Sequence, residues 1–360
     1  MQTPIRCMLM RGGTSKGAYF LSQDLPDEPA LRDQVLLAVM GSPDTRQIDG
    51  IGGGNSLTSK VAIVKKSERS HTDLDYLFAQ VSVDQAKVDY GQNCGNILAG
   101  VVPFAIERGL IVPQDGQTVV TVFMENTQQF AKVTVNTPNA ELDYAGSTYI
   151  DGVPQPAAEI ILEFEDIAGS TCGKLLPTDK RIDCIDGIQV TCIDNGMPVV
   201  LINATDLGCT GYESKQELDR NEDLKQQLER IRLKAGKLMN LGNVSHKTIP
   251  KMCLISPAQT EGCINTRFFI PHQCHNSIGV FAAISVASAC AMSGSVTEGI
   301  AKLPQETKEK RMAILHPSGH FDVLLRLDHT GKIKGSGFIR TARALFDGFV
   351  FIAEKVWKKN

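Results

Sequence analysis

A cysteine flanked by asparagine and glycine lies where the chain changes from polar to apolar. The motif is Asn93-Cys94-Gly95-Asn96, and the run 97–111 behind it carries charge only at Glu107 and Arg108. Such a run predicts a helix that is buried on every side. The N–H groups and dipole at the start of a helix lower the pKa of a thiol and hold an anionic ligand. A single cysteine is more commonly a small buried residue that fills space, so both interpretations stay open.

The same arrangement occurs a second time. Gln273-Cys274-His275-Asn276 precedes another apolar run, 277–287. A glycine turn follows a strand-like segment upstream of each cysteine, at 11–14 in the first half and at 194–198 in the second. The number of residues between the glycine turn and the cysteine is similar in both halves, which indicates an internal duplication. Two such halves, each directing a helix N-terminus at a shared pocket, would suit a polyanionic small molecule.

A glycine-rich stretch precedes a lysine in the first half. Residues 49–56 read Asp-Gly-Ile-Gly-Gly-Gly-Asn-Ser, and Lys60 precedes a predicted strand at 61–64. Glycines at this density indicate a backbone that bends sharply or approaches another group closely. A dinucleotide-binding G-x-G-x-x-G motif is excluded because Asn55 stands where the third glycine is needed. A phosphate-binding loop is excluded because Ser59, and not glycine, precedes Lys60.

Composition limits the class of protein. The chain has 360 residues, of which 42% are hydrophobic, and a formal net charge of -3; this is typical of a globular protein with two domains. No strong basic cluster and no segment resembling a membrane span occurs, so we expect neither a nucleic-acid nor a membrane partner. The N-terminus lacks signal-peptide features, and the ten cysteines include no C-x-x-C pair. We therefore expect reduced thiols and a cytoplasmic location.

The hydrophobic pattern predicts an α+β protein in two halves, with domains at 1–180 and 181–360 and closing strands that could return to the first domain. Besides the two apolar runs behind the cysteines, helices are predicted at 29–40 and 215–241. Strands are predicted at 4–10, 18–21, 61–64, 74–83, 118–124, 129–135, 160–164, 189–193, 199–203, 252–256, 263–270, 321–327, 332–341 and 348–354.

Motifs along nearly the whole chain resemble the PrpF family. Those of the first half are M-R-G-G-T-S-K-G (10–17), I-D-G-I-G-G-G-N-S-L-T-S-K (48–60), D-Y-L-F-A-Q-V (75–81), N-C-G-N (93–96) and I-D-G-V-P (150–154). Those of the second half are L-I-S-P-A-Q (254–259), P-H-Q-C-H (271–275) and H-P-S-G (316–319). Within the family the chain looks most like the 4-oxalomesaconate tautomerase branch, whose relatives interconvert aconitate-type tricarboxylates.

The resemblance implies a diaminopimelate epimerase-like fold, with two pseudo-symmetric domains, each a sheet wrapped round a central helix, and a site in the cleft between them. It also implies a reaction without cofactor, in which a lysine after the glycine loop acts with the first-half cysteine. Those positions are Lys60 and Cys94. Cys274 corresponds to the second thiol of the epimerases by the repeat, but the resemblance does not imply a symmetric two-thiol mechanism.

Moving a proton along a carbonyl-conjugated chain requires a base, an acid and donors for the enolate oxygen. Lys60 could be the base if burial lowers its pKa, and Cys94 could exchange the second proton. The plainer alternative makes Lys60 only a cationic partner for a substrate carboxylate. We expect the substrate carboxylates to be bound by a set of small, polar and cationic residues, namely Arg11, Ser15, Ser59, Gly95, Asn96, Arg267, His275, Ser318 and Gly319. Arg11 and Arg267 fit structural ion pairs equally well, and His272 with His275 lacks enough further ligands for a metal.

Together with the resemblance to the PrpF family, these residues lead us to expect an isomerase that catalyses a keto–enol or allylic 1,3-proton shift. The resemblance implies 4-oxalomesaconate as its substrate and a place in gallate or protocatechuate breakdown. One alternative is an isomerase of aconitate or 2-methylaconitate on the same scaffold. Another is an accessory protein that binds a tricarboxylate without catalysis. A homodimer is compatible with each of these interpretations.

Overall fold

The computed structural model describes residues 1–91, 93–305 and 308–358. The chain forms two compact units. Unit 1 comprises Met1–Leu162 with Ile339–Asn360, and unit 2 comprises Glu163–Phe338. The division predicted at 180/181 therefore lies inside unit 2. The closing strand belongs to unit 1 because it pairs along its length with the first strand of the chain.

Unit 1 contains a mixed sheet and three helices. Its helices are α1 (Pro29–Met40), α2 (Gly95–Leu98) and α3 (Val101–Glu107). Its strands are β1 (Gln2–Gly12), β2 (Ser15–Leu21), β3 (Lys60–Lys66), β4 (Leu74–Val81), β5 (Val88–Asp89), β6 (Gly116–Met124), β7 (Gln129–Thr137) and the last strand of the chain, β17 (Ala342–Ala353). Alternate residues of β2 face opposite sides of the sheet. Ala18 and Phe20 join the core beneath α1, whereas the Tyr19 ring contacts Phe104 of α3, with 5.7 Å between ring centroids.

Unit 2 repeats this plan with its own helices, α4 (Lys215–Arg220), α5 (Glu222–Leu238) and α6 (Val280–Cys290). Its strands are β9 (Asp183–Ile185), β10 (Ile188–Asp194), β11 (Pro198–Asn203), β12 (Lys251–Ser256), β13 (Ile264–Phe269), β14 (Glu309–His316) and β15 (Gly319–Leu327). The chain passes between the units within β8 (Ile160–Phe164) and again within β16 (Ile333–Arg340). Helix α5 packs on one core of this unit, and α6 is buried from Ala282 to Cys290.

The strand pairings support the predicted duplication. In unit 1, β1 and β2 are antiparallel, β2 and β3 parallel, β3 and β4 antiparallel, β4 and β6 parallel, and β6 and β7 antiparallel. In unit 2, the pairs β10/β11, β11/β12, β12/β13, β13/β14 and β14/β15 alternate in the same way. The two glycine turns lie at equivalent hairpins, and both Gly13 and Gly196 have positive φ, at 51° and 88°.

The predicted continuous helix behind Cys94 is wrong, because the structure contains two short helices, α2 and α3. Pro103 has no N–H with which to bond the carbonyl of residue 99, so one helix cannot run through this segment. At the break, Gly100 lets a tyrosine approach the backbone: a Cβ there would lie 2.4 Å from the Tyr19 hydroxyl. That hydroxyl donates to the carbonyl of Ile97 at 2.6 Å.

Two further helix predictions need correction. The helix predicted at 215–241 is divided at Asn221, whose side chain caps α5 by accepting from the N–H of Leu224 at 3.0 Å. The apolar run after Cys274 becomes helical only at Val280, with Gly279 as its N-cap. In the part of the chain described here, no helix is long and apolar enough to cross a membrane.

Candidate active site

Lys60 is the first residue of β3 and is only 7% exposed. Its cross-strand partner is Gln80 of β4. The Lys60 Nζ donates to Gln80 Oε1 at 2.6 Å and lies 5.1 Å from the centroid of the Phe78 ring. Both contacts are favourable for a cation. The amine is therefore held in one direction by a neutral acceptor and an aromatic face.

The glycine-rich stretch before Lys60 is folded round one buried side chain, that of Gln47. Gln47 Nε2 donates to Ser42 Oγ at 3.0 Å and to Ser59 Oγ at 2.7 Å, and its Oε1 accepts from the N–H of Gly54 at 2.9 Å. A Cβ at Gly52 would lie 2.2 Å from Gln47 Oε1. The close approach inferred from the glycines is thus made, at least in part, to a side chain of the protein itself.

Cys94 is partly exposed and is the N-cap residue of α2. Its carbonyl accepts from the N–H of Leu98 at 2.9 Å and from the Tyr76 hydroxyl at 3.5 Å. Burial, with a smaller contribution from Cys94, raises the pKa of Tyr76 and of Tyr19 well above the usual range. Two neutral phenols therefore lie close to this thiol.

The turn between β6 and β7 connects the surroundings of the two predicted catalytic residues. Asn126 accepts from the N–H of Phe78 at 2.8 Å, and its Nδ2 donates to the carbonyls of Phe78 and Tyr90, both at 2.9 Å. Its neighbour Thr127 is hydrogen-bonded through its hydroxyl to the Asn93 amide. One turn of unit 1 thereby holds both Phe78, whose ring faces the Lys60 amine, and Asn93, the residue before Cys94.

Asn96 joins the start of α2 to the first glycine turn. Its Nδ2 donates to Thr14 Oγ1 at 3.0 Å, and its Oδ1 accepts from Arg340 Nε at 2.9 Å. A Cβ at Gly13 would lie 2.2 Å from that Oδ1. Sequence reasoning missed Arg340, which is 7% exposed. The signal in the sequence is an arginine that directly follows the apolar residues Phe338 and Ile339.

The other predicted binding residues of unit 1 behave differently from one another. Ser15 is 2% exposed, and its hydroxyl has no hydrogen-bond partner among the described residues. Ser59 is fully buried, and its hydroxyl donates to the carbonyl of Val81 at 2.8 Å while accepting from Gln47. Its hydroxyl therefore holds the loop, and its contact with a ligand stays a prediction.

Arg11 forms no ion pair with any residue that the structure describes, and its hydrogen bonds go to neutral groups. Its Nη1 donates to the carbonyl of Gly13 at 2.9 Å and to the carbonyl and hydroxyl of Thr341, both at 3.0 Å. Burial and the nearby Arg343 lower the pKa of Arg11. Both arginines line a cavity of about 350 Å³ in unit 1, and neither Lys60 nor Cys94 lines it.

In unit 2 the structure brings together three of the predicted residues. The Ser318 hydroxyl donates to the carbonyl of Asn276 at 2.7 Å, so the turn at Ser318-Gly319 lies against the segment that contains His275. His275 is exposed, and its Nδ1 accepts from the N–H of Ser277 at 3.0 Å. Arg267 is 7% exposed, and it donates to the carbonyls of Glu213 and Thr266 and to Asn265 Oδ1.

Cys274 differs from the position predicted for it. It does not begin a helix: its N–H donates to Asp219 Oδ1 at 2.7 Å, and the residue bridges to Phe269. It is 1% exposed, and burial together with Asp219 raises its pKa to about 11. At neutral pH this side chain is an enclosed, protonated thiol.

Comparison with known proteins places the chain in a family. It matches the family described as PrpF protein over residues 2–353. It is 59% identical over 356 residues to the 4-oxalomesaconate tautomerase of Pseudomonas putida, covering 99% of this chain and 98% of that protein. It is 54% identical over 346 residues to the (4E)-oxalomesaconate Delta-isomerase of a Novosphingobium strain, with 96% and 97% coverage.

Among solved structures, the crystal structure of methylitaconate-delta-isomerase matches with a TM-score of 0.91 and 31% sequence identity. The match covers 100% of this chain and 98% of that one. The fold is thus diaminopimelate epimerase-like, of the α+β class, as its motifs predicted. The chain belongs to the PrpF family and is an isomerase.

Proposed function

We propose that this isomerase acts on 4-oxalomesaconate and moves a proton between two carbons of its conjugated system, without a cofactor. The surroundings of Lys60 and Cys94 carry the proposal: one turn of unit 1 bonds both Phe78, whose ring faces the Lys60 amine, and Asn93, the residue before Cys94. One of them removes a proton next to the carbonyl, and the electron pair passes into an enolate. The other returns a proton at the far end of the conjugated system, so atoms and electrons balance without an oxidant or reductant.

The assignment of roles follows from what each group can do. We assign removal of the proton to the Lys60 amine and its return to the Cys94 thiol, since a thiol at the first turn of a helix is a good partner for a carbanion. A positioned acid or base typically contributes about 10²- to 10⁴-fold in rate. The two roles together therefore account for a large part of an ordinary enzymatic rate enhancement.

Binding of the substrate carboxylates is part of the same proposal. In unit 1 we assign it to the Ser15 hydroxyl, which is buried and has no partner among the described residues, and to the N–H groups of Gly95 and Asn96. The first N–H groups of a helix have no acceptor within it, so they are available to an anion. Arg11 and, in unit 2, Arg267, His275, Ser318 and Gly319 remain predicted contacts.

The cellular role is proposed on the same basis. A tautomerase of this substrate fits the breakdown of aromatic acids such as gallate or protocatechuate. A cytoplasmic location is supported by the ten free cysteines, since thiols persist in a reducing compartment.

A second candidate substrate class has its own support. The close structural match to methylitaconate-delta-isomerase favours an isomerase of aconitate, 2-methylaconitate or a similar branched acid on the same scaffold. An accessory binding protein would keep the pocket but transfer no proton.

Deuterium exchange distinguishes these candidates. The purified protein is mixed in deuterated water with 4-oxalomesaconate, cis-aconitate or 2-methylaconitate, and deuterium uptake is followed by NMR. We expect uptake into 4-oxalomesaconate alone, at a rate that Lys60→Met abolishes. Uptake only into one of the other acids would transfer the proposal to that substrate, and no uptake into any of them would favour the binding protein.

A further inference from the structure

We propose that Gln80 is a positioning residue for Lys60, and that its amide oxygen fixes the direction in which the amine points. This inference rests on the proposed function, in which Lys60 removes a proton from the substrate. Gln80 lies opposite Lys60 in the antiparallel pair β3/β4, and its Oε1 is 2.6 Å from the Lys60 Nζ.

The orientation of the Gln80 amide follows from its other contacts. Its Nε2 donates to the carbonyl of Ser56 at 3.1 Å and to the carbonyl of Ser59 at 2.9 Å. Carbonyl oxygens only accept hydrogen bonds, so the NH₂ group must face them and the oxygen must face Lys60. Reversing the amide would leave three contacts unsatisfied or repulsive.

The loop that holds Gln80 is itself fixed. The Ser59 hydroxyl is bonded to the carbonyl of Val81 and to the Gln47 amide, and Gln47 also accepts from Gly54. The glycine-rich stretch is therefore the support for Gln80, and Gln80 passes that support to Lys60. This explains how a loop without a phosphate-binding motif can serve catalysis through a side chain on the neighbouring strand.

The direct contacts of the Lys60 amine are with neutral groups. Among the described residues Lys60 forms no ion pair, and its two partners are the Gln80 amide and the Phe78 ring. The acidic residue opposite Gln80 is Asp89 of β5, which accepts from the N–H of Gly91 at 2.8 Å. On the parallel strand β2, Lys60 lies beside Gly17, next to Lys16. Gln80 is a neutral acceptor, and a carboxylate at position 80 would add a negative charge next to the amine, which favours the protonated form.

Two substitutions at position 80 test this in opposite directions. Gln80→Glu places a negative charge against the amine, so we expect kcat/KM at neutral pH to fall by about 10²-fold and the acidic limb of the pH–rate profile to move to higher pH. Gln80→Leu removes the acceptor, so we expect kcat to fall by about tenfold with KM nearly unchanged, and the same limb to move to lower pH.

Gln47→Leu is the matched control, because it loosens the same loop without removing a contact of Lys60. We expect it to lower the midpoint of thermal unfolding and to leave the position of the acidic limb unchanged. Circular dichroism on each variant confirms that it is folded before rates are compared.

The outcomes separate this inference from the proposed function. The positioning role would be overturned if the acidic limb of the pH–rate profile moved in the same direction for Gln80→Glu and Gln80→Leu, or did not move at all. This would hold even if Lys60→Met is inactive. A Lys60→Met protein with normal turnover would overturn the proposed function itself, whatever the position-80 variants do.

Discussion

The two units place a lysine and a cysteine at equivalent points of the same strand order, yet give them different surroundings. Lys60 begins β3 beside Gly17 of β2, and Lys251 begins β12 beside Val199 of β11. Lys60 has an acceptor and an aromatic face. Lys251 is 8% exposed, and its side-chain amine has no hydrogen-bond partner among the described residues. Burial and the nearby Arg232 lower its pKa to about 8.

The cysteines differ in the same sense. Cys94 is partly exposed and occupies the N-cap position of α2. Cys274 is 1% exposed, lies well before α6 and donates its N–H to Asp219. The backbone plan is therefore repeated while the side-chain contacts are not. Equivalent positions in the repeat therefore do not give a lysine or a cysteine the same contacts. The contacts depend on the partners that the neighbouring strands and turns supply.

The largest expected effect separates the two lysines. We expect Lys60→Met to lower kcat/KM by about 10²- to 10⁴-fold, because it removes the proposed base. Lys251→Met should keep kcat/KM within about threefold, since this amine takes no part in the proposed reaction. Steady-state kinetics with 4-oxalomesaconate would measure both. Equal losses for the two variants would remove the functional distinction between the units.

The cysteines should differ by a smaller factor. We expect Cys94→Ala to lower kcat at least about tenfold while KM changes little, because a proton-transfer step is lost and binding is kept. Cys274→Ala should retain kcat, because a thiol that is only 1% exposed is enclosed by the protein and does not meet the substrate. The kcat and KM of both variants would be compared at pH 7.5. If Cys274→Ala loses as much activity as Cys94→Ala, a two-thiol mechanism becomes the better explanation.

The sequence was most informative where local pattern determines structure. The two hairpin turns, the N-cap position of Cys94 and Lys60 at the start of a strand all depend on residues within a few positions of one another. The break in the helix behind Cys94 also has a local cause, because Pro103 lacks the N–H that a continuous helix needs at that position.

The contacts that give the site its character could not be read from pattern alone. Gln80 accepts a hydrogen bond from Lys60 across a strand pair, and Asn126 accepts one from the N–H of Phe78 although it lies in the turn between β6 and β7. Arg340, near the end of the chain, donates to Asn96. Each joins residues far apart in sequence, so no window of the sequence contains both partners. The same reason explains Cys274, whose environment depends on Asp219 of helix α4.

The two glycine turns offer a third contrast, in stability and activity together. We expect Gly13→Ala and Gly196→Ala each to destabilise by about 1–2 kcal/mol or more, because a left-handed backbone disfavours a side chain. Their added Cβ atoms meet different groups: Asn96 Oδ1 at 2.2 Å in unit 1 and Phe281 Cδ1 at 2.7 Å in unit 2. Only Gly13→Ala should also lower kcat, because it displaces the start of α2.

Gly187→Ala is the control for these two variants. Gly187 has a φ of 81° and open space where its Cβ would be, so it reports backbone strain alone. Urea unfolding and kcat would be measured for all three variants. A loss of kcat in Gly196→Ala equal to that in Gly13→Ala would show that the two hairpins affect catalysis alike.

The smallest effect concerns the stability of unit 2 as pH changes. The pKa of Lys251 is lowered from 10.5 to about 8 in the folded protein, so between these values the unfolded chain binds more protons than the folded one. Its contribution therefore makes the free energy of unfolding rise with pH across that window. At pH 7 the cost of the buried charge is fully present. We thus expect Lys251→Met to be more stable than the parent protein at pH 7 by about 1 kcal/mol. This is less than the full pKa shift would give, because the amine keeps some contact with solvent.

Urea unfolding at pH 7, 8, 9 and 10 would follow this difference, with Lys66→Met as the control because Lys66 is exposed at the end of β3. The advantage of Lys251→Met should shrink steadily above pH 8, whereas Lys66→Met should show no such trend. A constant advantage from pH 7 to pH 10 would mean that packing, and not the charge, distinguishes Lys251 from methionine. In that case the lysine of unit 2 would be an ordinary core residue, and its equivalence to Lys60 would extend only to the backbone.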